Sequence, residues 1–564
     1  MPVDPLGQTE DPSRSPRVAR WLRIGASAVF AVSFITLLTR LVGFARWIVF
    51  SPTVGAGVVG TAYQSANQLP NILFEVVAGG ALAGAVVPLL AKPLAAADTK
   101  TASQMASALL TWACLLTAPI SVGVFIFHDV LAWSFVSAQG GDRDLAADFL
   151  VMFSPQILLY AIGAVLTGVL QAHRKFMWPA VMPLVSSVVV IGVYVLYAGI
   201  SQGSENPQYS SLALLGWGTT AGVAALALPL ALPTARTDIR LRPRLVFPHG
   251  MATLALRLAT AGMLTLIAQQ LALLVVLTVA NRMGGTGVYV AFSYIQAVYM
   301  LPYGVLAVPL ATIIFSRLSR MALVGLSPEV SGTLAVTTAA ILRVGIWGCA
   351  VLIAAASPLE VFFSSLDAAA DNPHVPFEVF GLAAAVMSLG LPGWCLIAWA
   401  QRAFSALHKA NYGAVAIISG WICVAAGCLL GTWWLFSSGF VEPPTRSERG
   451  ASTLLIIASS FALGMTVSAL CVITLLYRVG GAAAVSGLCG RTVRAMVIGA
   501  ISALSGAWAG QWLLEVSSAW PPIVAAVMSG LAAGCLALGI SVTGAMLWDR
   551  RLINETLRLS RTLE

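Results

Sequence analysis

The chain has 564 residues, of which 59% are hydrophobic and 9% charged, with a mean hydropathy of +0.89 and a net charge of +9. Soluble globular proteins carry about 25% charged residues, so the composition excludes that class and indicates an integral membrane protein. The charged residues form no block of five or more of the same sign along the sequence, so nucleic acid is not a predicted partner.

Long apolar runs recur along the chain, each able to cross a hydrocarbon core of about 30 Å as a helix. They are continuously apolar, whereas strands of a membrane barrel alternate, so we predict an all-α, polytopic membrane protein. The fourteen predicted spans cover residues 24–50, 59–91, 104–127, 146–171, 177–200, 210–232, 251–280, 287–316, 331–356, 379–404, 412–437, 452–477, 493–514 and 521–547.

Lys and Arg residues collect on alternate connections between these spans, as the positive-inside rule requires. If the amino terminus is inside, the even-numbered connections carry most basic residues and the odd-numbered ones most acids. Both termini are therefore predicted to be cytoplasmic. The basic residues of the even-numbered connections are Lys92, Lys100, Arg174, Lys175, Arg236, Arg240, Arg242, Arg244, Arg317, Arg320, Lys409, Arg478 and Arg491.

The longest charged connection, at 234–250, holds four arginines and two prolines and is predicted to link two six-helix lobes. Transporters built from repeats have this organisation, with the substrate near the midplane between the lobes. The predicted segments are a cytoplasmic tail at 1–23, an N-lobe at 24–233, the linker, a C-lobe at 251–478, two further spans at 479–548 and a cytoplasmic tail at 549–564.

Motifs for catalysis or cofactor binding are not convincing in this sequence. Gly55–Gly60 matches GxGxxG, but no strand precedes it and no acidic residue follows about 20 positions later. Walker A, HExxH and GxSxG sequences are absent, and the eight cysteines lie in apolar runs without metal-ligand spacing. We therefore predict no enzymatic activity, no cofactor, no metal site and no disulfide.

Two arginines, Arg40 and Arg46, lie inside the first predicted span. A charge near the centre of a span costs about 3 kcal/mol or more, so both must face protein or water. On an ideal helix they are about 240° apart around the axis and about 9 Å apart along it. Gly43 is the predicted hinge that lets both side chains reach one cavity. In the alternative interpretation, Arg46 snorkels to the outer interface and Arg40 caps a carbonyl.

The second predicted span contributes Asn67, Asn71 and Glu75 as further candidate binding residues. Pro70 is a second predicted hinge, because proline removes a backbone donor and exposes carbonyl groups to an ion or a sugar hydroxyl. Glu75 is predicted either to pair with one of the arginines or to bind a coupling ion.

Arginine favours one class of ligand. Its planar guanidinium binds phosphate through two hydrogen bonds and stays charged in any environment. Paired arginines in a transporter cavity therefore point towards a phosphate or diphosphate.

At these residues the chain resembles the MurJ/MviN lipid II flippases of the MOP superfamily, which also includes MATE exporters. Thr39–Arg46 is similar to the family pattern S/T-R-x-x-G-x-x-R, and the resemblance covers at least residues 28–430. It continues in Gln68–Asn71 with Val87–Pro88, in Pro155–Ala180 and in Leu301–Thr312.

The resemblance implies a two-lobed flippase of the bacterial cytoplasmic membrane that alternates between inward-open and outward-open states. Its substrate would be lipid II, an undecaprenyl-diphosphate-linked cell-wall precursor, with the diphosphate held by Arg40 and Arg46 next to Thr39. Spans thirteen and fourteen would form a groove for the polyprenyl tail. An interior-negative potential of 100 mV would favour expulsion of a dianionic group by about 4.6 kcal/mol, so a coupling ion is not required.

Several family charges are missing here. The acid after the second arginine is replaced by Trp47, and other charged positions of the family fall at Phe74, Gly79, Gln296 and Ala297. Three alternatives therefore stay open. They are a flippase for another polyprenyl-linked glycan, a MATE-like antiporter that uses Glu75, and a membrane scaffold without transport activity.

Overall fold

The computed structural model of this chain describes residues 34–35, 38–76, 83–136, 142–201, 207–248, 251–322, 328–368, 372, 375–437 and 446–548. These ranges contain helices and short connections without a strand, which confirms the all-α class. The predicted tails at 1–23 and 549–564 lie outside them, as does Gly79.

The amino-terminal half contains nine of the described helices. They are α1 (38–53), α2 (Val58–Phe74), α3 (Ala83–Ala95), α4 (Thr99–Ile126), α5 (His128–Phe135), α6 (Asp142–Ala172), α7 (Met177–Ser201), α8 (Tyr209–Ala227) and α9 (Ala231–Ala235).

The remaining helices follow the linker. They are α10 (Met251–Val279), α11 (Val288–Pro302), α12 (Val308–Ala322), α13 (Pro328–Ala354), α14 (Ala356–Leu366), α15 (Phe380–Ser388), α16 (Leu391–Ala406), α17 (Ala410–Ser437), α18 (Arg446–Gly480), α19 (Leu488–Val516) and α20 (Pro522–Trp548).

Within the described ranges, 11 helices are long and apolar enough to cross a membrane, or 12 if the bent pair α15 and α16 forms one span. They coincide with predicted spans three to fourteen. Spans one and two each include residues outside the described ranges, so the total of fourteen stays a prediction.

The bend between α15 and α16 is 42° and has a local cause. Pro392, in the first turn of α16, has no backbone N–H and cannot continue the preceding helix. A Cβ at Gly393 would lie 2.1 Å from the Met465 carbonyl oxygen, so α16 presses directly on α18. Only glycine permits this approach.

The helices pack in two groups, and α3 of the first group also contacts α10 of the second. Helices α2 to α4 and α7 to α9 gather around α6. In the second half α10 packs on α17, and both α13 and α18 pack on α16. Helices α19 and α20 pack on each other and against α13 and α14. Small residues permit this last contact, as at Gly506, where a Cβ would lie 2.6 Å from Ala354. The exact domain boundaries stay predictions.

The two lobes meet in two places, at the contact of α3 with α10 and where the odd-numbered connections lie. We call the second region the closed end. The Gly287 N–H donates to Thr61 Oγ1 at 2.8 Å, and Asn281 Nδ2 donates to Ser65 Oγ at 2.8 Å. Gly287 has a φ of +83°, and a Cβ there would lie 2.8 Å from the Ala56 carbonyl oxygen. Glycine is therefore required at this turn on grounds of both conformation and space.

The linker after α9 is an extended strap that lies along α4. Two residues of extended chain rise about 6.6 Å and four residues of helix rise about 6 Å, so alternate backbone N–H groups can meet hydroxyls four residues apart. Ile239 anchors the strap because its side chain is buried. The N–H donors and hydroxyl acceptors are Arg240 to Ser103 at 3.1 Å, Arg242 to Ser107 at 3.0 Å and Arg244 to Thr111 at 2.9 Å.

Replacing the three hydroxyl residues with alanine should release the strap. Each lost hydrogen bond contributes about 1 kcal/mol, so trypsin cleavage after Arg236, Arg240 and Arg244 should become about tenfold faster or more. The measurement is limited proteolysis of inside-out vesicles, where the predicted topology exposes the linker.

Thr117→Ala is the control. Thr117 lies on the same helix, but its hydroxyl donates to the Ala113 carbonyl oxygen within that helix and not to the strap. Equal cleavage of the triple variant and the control would contradict the strap. Cleavage in right-side-out vesicles instead would contradict the predicted topology.

Candidate functional site

A polar cavity of about 750 Å³ lies between α1, α7 and α11. The end of α2 contributes Glu75, and the widened turn at Tyr303–Ala307 contributes two residues. The lining residues are Thr39, Arg40, Leu41, Gly43, Phe44, Arg46, Trp47, Glu75, Pro179, Ala180, Pro183, Ser187, Ser293, Gln296, Ala297, Met300, Leu301, Gly304 and Val305.

Helix α1 presents two neighbouring faces to this cavity. Thr39, Gly43 and Arg46 form one stripe at i, i+4 and i+7, and the stripe of Arg40 runs beside it and includes Trp47. The two arginines therefore share one cavity, although they lie on different stripes. The helix is continuous through Gly43, without a break, so the hinge role of Gly43 stays a prediction.

The guanidinium groups of Arg40 and Arg46 have no ion-pair partner within 4 Å among the residues that the structure describes. Arg40 is exposed to the cavity and Arg46 is half-buried. Two guanidinium groups and one carboxylate, that of Glu75, line this cavity, and Glu75 interacts electrostatically with Arg40. The wall keeps a net positive charge, which attracts an anion. The cavity is thus suited to a ligand with at least one negative charge.

Glu75 lies at the C-terminal end of α2 and lines the same cavity. Its backbone N–H donates to the Asn71 and Ile72 carbonyl oxygens. Helix α2 runs through Pro70 without a break, so the hinge role of Pro70 stays a prediction. Its carboxylate is not within ion-pair distance of a described basic residue. The described ranges also hold no cluster of three His, Cys, Asp or Glu residues fit for a metal ion.

Thr39 connects α1 to α7. Its Oγ1 donates to the Ile35 carbonyl oxygen at 2.8 Å and approaches the Ala180 carbonyl oxygen at 3.4 Å. The hydroxyl therefore fixes the position of α1 one residue before Arg40.

The other candidates on α2 do not line the cavity. Asn71 Oδ1 accepts a hydrogen bond from the Tyr160 hydroxyl at 3.2 Å, so its side chain faces α6 inside the N-lobe. Pro70 is buried, and Asn67 is absent from the described cavity wall. Phe74 also turns to Tyr160, with ring centroids 4.4 Å apart.

Sequence reasoning missed the uncharged part of the wall. Ser187 on α7 and Ser293 on α11 add hydroxyls that donate within their own helices and can still accept a hydrogen bond, and Gln296 adds an amide. Gln296 and Ala297 occupy positions where the resemblance places charges, and both line the cavity. In the sequence, only the resemblance to the family pointed to Gln296 as a cavity residue. No sequence feature pointed to Ser187 or Ser293.

A second cavity, an apolar groove of about 760 Å³, adjoins the first. It lies between α1, α11, α13, α14 and α20, and it shares Phe44, Leu301 and Val305 with the polar cavity. The π-helical turn after Pro302 carries Val305, so this locally widened turn forms part of the wall of both cavities.

The family model for the lipid II flippase MurJ matches residues 50–441. The chain belongs to the lipid II flippase MurJ family. It is thus a multi-pass membrane protein of a transporter family, and its all-helical fold agrees with this assignment. The matched range begins after Arg46, so it does not include the arginines of α1.

Similar proteins support the family and the fold to different extents. A probable lipid II flippase MurJ from Rhizobium meliloti (strain 1021) is 28% identical over 298 residues, which are 50% of this chain and 53% of that relative. The chain spans about half the length of the curated relatives it matches.

Two solved structures show the fold. A lipid II flippase MurJ in an inward closed conformation superimposes with a TM-score of 0.70 at 16% identity, over 93% of this chain and 100% of that one. An inward-facing multidrug resistance MATE transporter of the MOP superfamily reaches 0.61 at 14% identity, over 78% and 98%.

Gly43→Ala tests the description of α1. No atom lies within 4 Å of a Cβ at this position, and alanine favours a helix interior by up to about 1 kcal/mol, so thermal stability in detergent should be unchanged or raised. Gly393→Ala is the matched control and should lower it, because its Cβ would overlap Met465. Equal effects would contradict the open surroundings of Gly43.

Proposed function

We propose that this protein moves lipid II, or a closely related polyprenyl-diphosphate glycan, from the inner to the outer leaflet by alternating access. The observation that carries the proposal is the adjacency of a cationic cavity and an apolar groove of similar volume. An amphiphile with a phosphorylated head and a long tail fits such a pair of cavities. In this role the protein is a transporter and not a catalyst.

Arg40 and Arg46 would hold the diphosphate. Neither guanidinium lies within 4 Å of a described carboxylate, and each can donate two hydrogen bonds to phosphate oxygens. Thr39 would support Arg40 through its contact with α7. The hydroxyls of Ser187 and Ser293 would face the sugar part of the headgroup.

The apolar groove would hold the polyprenyl tail. Its α20 wall is formed by Ala526, Val527, Gly530, Leu531 and Leu538. Burial of each CH₂ group contributes about 0.8 kcal/mol relative to water, although a tail that arrives from lipid gains far less. The groove therefore guides the tail and leaves recognition to the headgroup.

The membrane potential would drive the movement. We place both termini in the cytoplasm of a bacterium and the polar cavity on the inner side of the closed end. An interior-negative potential then expels an uncompensated dianion. Glu75 is the candidate site for an exchanged cation, because it is the acid that shares the cavity with the arginines.

Arg40→Ala and Arg46→Ala should each abolish growth of cells depleted of their own lipid II flippase. Arg→Lys variants should rescue only in part, since an ammonium group cannot bind phosphate in the bidentate manner. Complementation is measured together with inner-leaflet lipid II and the amount of protein in the membrane.

Arg478→Ala, which changes an exposed arginine at the end of α18, is the control and should grow normally. Normal growth of both cavity variants would contradict the proposal. In that case a change in drug tolerance would favour the antiporter, and no phenotype at all would favour the scaffold.

Val527→Trp should fill the groove and separate the two parts of the ligand. We expect weaker binding of a long-chain polyprenyl diphosphate and unchanged binding of a short-chain one, measured on purified protein. Val524→Trp is the matched control, on the same exposed helix but away from the groove. Equal loss for both chain lengths would show that the groove does not hold the tail.

A further inference from the structure

A buried carboxylate at the closed end connects the lobes. Asp367 follows α14, and its side chain is 5% exposed. Oδ2 accepts hydrogen bonds from Ser51 Oγ at 2.8 Å and from the Tyr294 hydroxyl at 2.7 Å, and Oδ1 accepts one from the Ala56 N–H at 2.8 Å. Next to it, the Ala368 N–H donates to the Ser51 carbonyl oxygen at 2.8 Å.

These bonds divide between the two halves of the molecule. Tyr294 belongs to α11, on the same side of the linker as Asp367, whereas Ser51 and Ala56 lie at the end of α1 and just after it. If the lobes separate at this end, Tyr294 can stay bound to Asp367 while the bonds to Ser51 and Ala56 break. Asp367 is therefore part of the contact that opening must break.

A carboxylate suits a contact that opens and closes. In the closed state its hydrogen bonds offset the loss of hydration, and in the open state water replaces them. The closed and open states therefore differ less in free energy with a carboxylate at the contact than with apolar side chains. Apolar side chains form no hydrogen bonds with water when they become exposed.

The same contact reaches the polar cavity through Trp47. Trp47 lines the cavity beside Arg46 and packs edge-on against the Tyr294 ring, with centroids 5.7 Å apart. It also packs edge-on against Phe50 at 5.7 Å, one residue before Ser51. A ligand that displaces Trp47 therefore disturbs Tyr294, which donates to Asp367 from one lobe. It also disturbs Phe50, which precedes Ser51 in the other lobe.

We propose that Asp367, Tyr294 and Trp47 form a latch that keeps the closed end shut until a ligand in the polar cavity displaces Trp47. The proposal rests on the proposed function, since it assigns the latch to the alternation between open states. It makes Asp367 and Tyr294 positioning residues that do not contact the ligand.

The test uses Ser65→Cys as a reporter in the full-length purified protein. Ser65 is 2% exposed and contacts Asn281 across the closed end, so a hydrophilic maleimide should label the introduced thiol only when this end opens. Peptide mass spectrometry distinguishes the introduced thiol from the native cysteines.

Without ligand, Asp367→Ala should raise the labelling rate about fivefold or more, the change expected when a two-state equilibrium loses at least one hydrogen bond. Ser51→Ala, which removes one of the hydrogen bonds that opening breaks, should raise it less. Glu378→Gln, which changes an exposed acid nearby in the chain, should leave it unchanged. If Asp367→Ala does not fold, Ser51→Ala decides, and a labelling rate equal to the parent's would overturn the latch.

With a short-chain polyprenyl diphosphate, labelling should rise in the reporter protein and not in its Trp47→Ala variant. A rise that survives Trp47→Ala, or a bound ligand that changes nothing, would overturn the coupling. Failure to bind the probe would count against the proposed function instead, and the ligand-free measurement would still decide the latch.

Discussion

The positions of Arg40 and Arg46 on α1 constrain the surroundings of that helix. A guanidinium within a span needs water or protein around it, because exposure to hydrocarbon costs several kcal/mol. Helix α1 meets this need by presenting two adjacent stripes to one cavity instead of one stripe to a partner helix. The cavity is therefore a condition for the stability of α1 as much as a site for a ligand.

The sequence predicted most of the helices because their signal is local. Continuous apolar runs and alternating charge place spans three to fourteen within a few residues of the observed helices. The irregular turns were harder to predict. The π-helical turn at Tyr303–Ala307 comes directly after Pro302. No single residue in this turn identifies it as part of a cavity wall.

Side-chain direction limited the prediction of the site. Arg40, Arg46, Thr39 and Glu75 reach the cavity, but Asn71 turns to Tyr160 because the N-lobe offers it a hydrogen-bond partner. Asp367 carried no signal beyond being an acid on an odd-numbered connection. Its partner Ser51 is 316 positions away, and only the packing of the two lobes brings them together.

Trp47 matters for the whole molecule because it belongs to two regions. Its ring lines the cavity next to Arg46, where the resemblance implies an acid, and it contacts Tyr294. The ring joins the cavity wall to the closed end through aromatic packing. A rigid ring transmits displacement better than a hydrated carboxylate, since packed side chains have few alternative arrangements. The same residue thus lies beside the candidate anion site and links its occupation to the contact between the lobes.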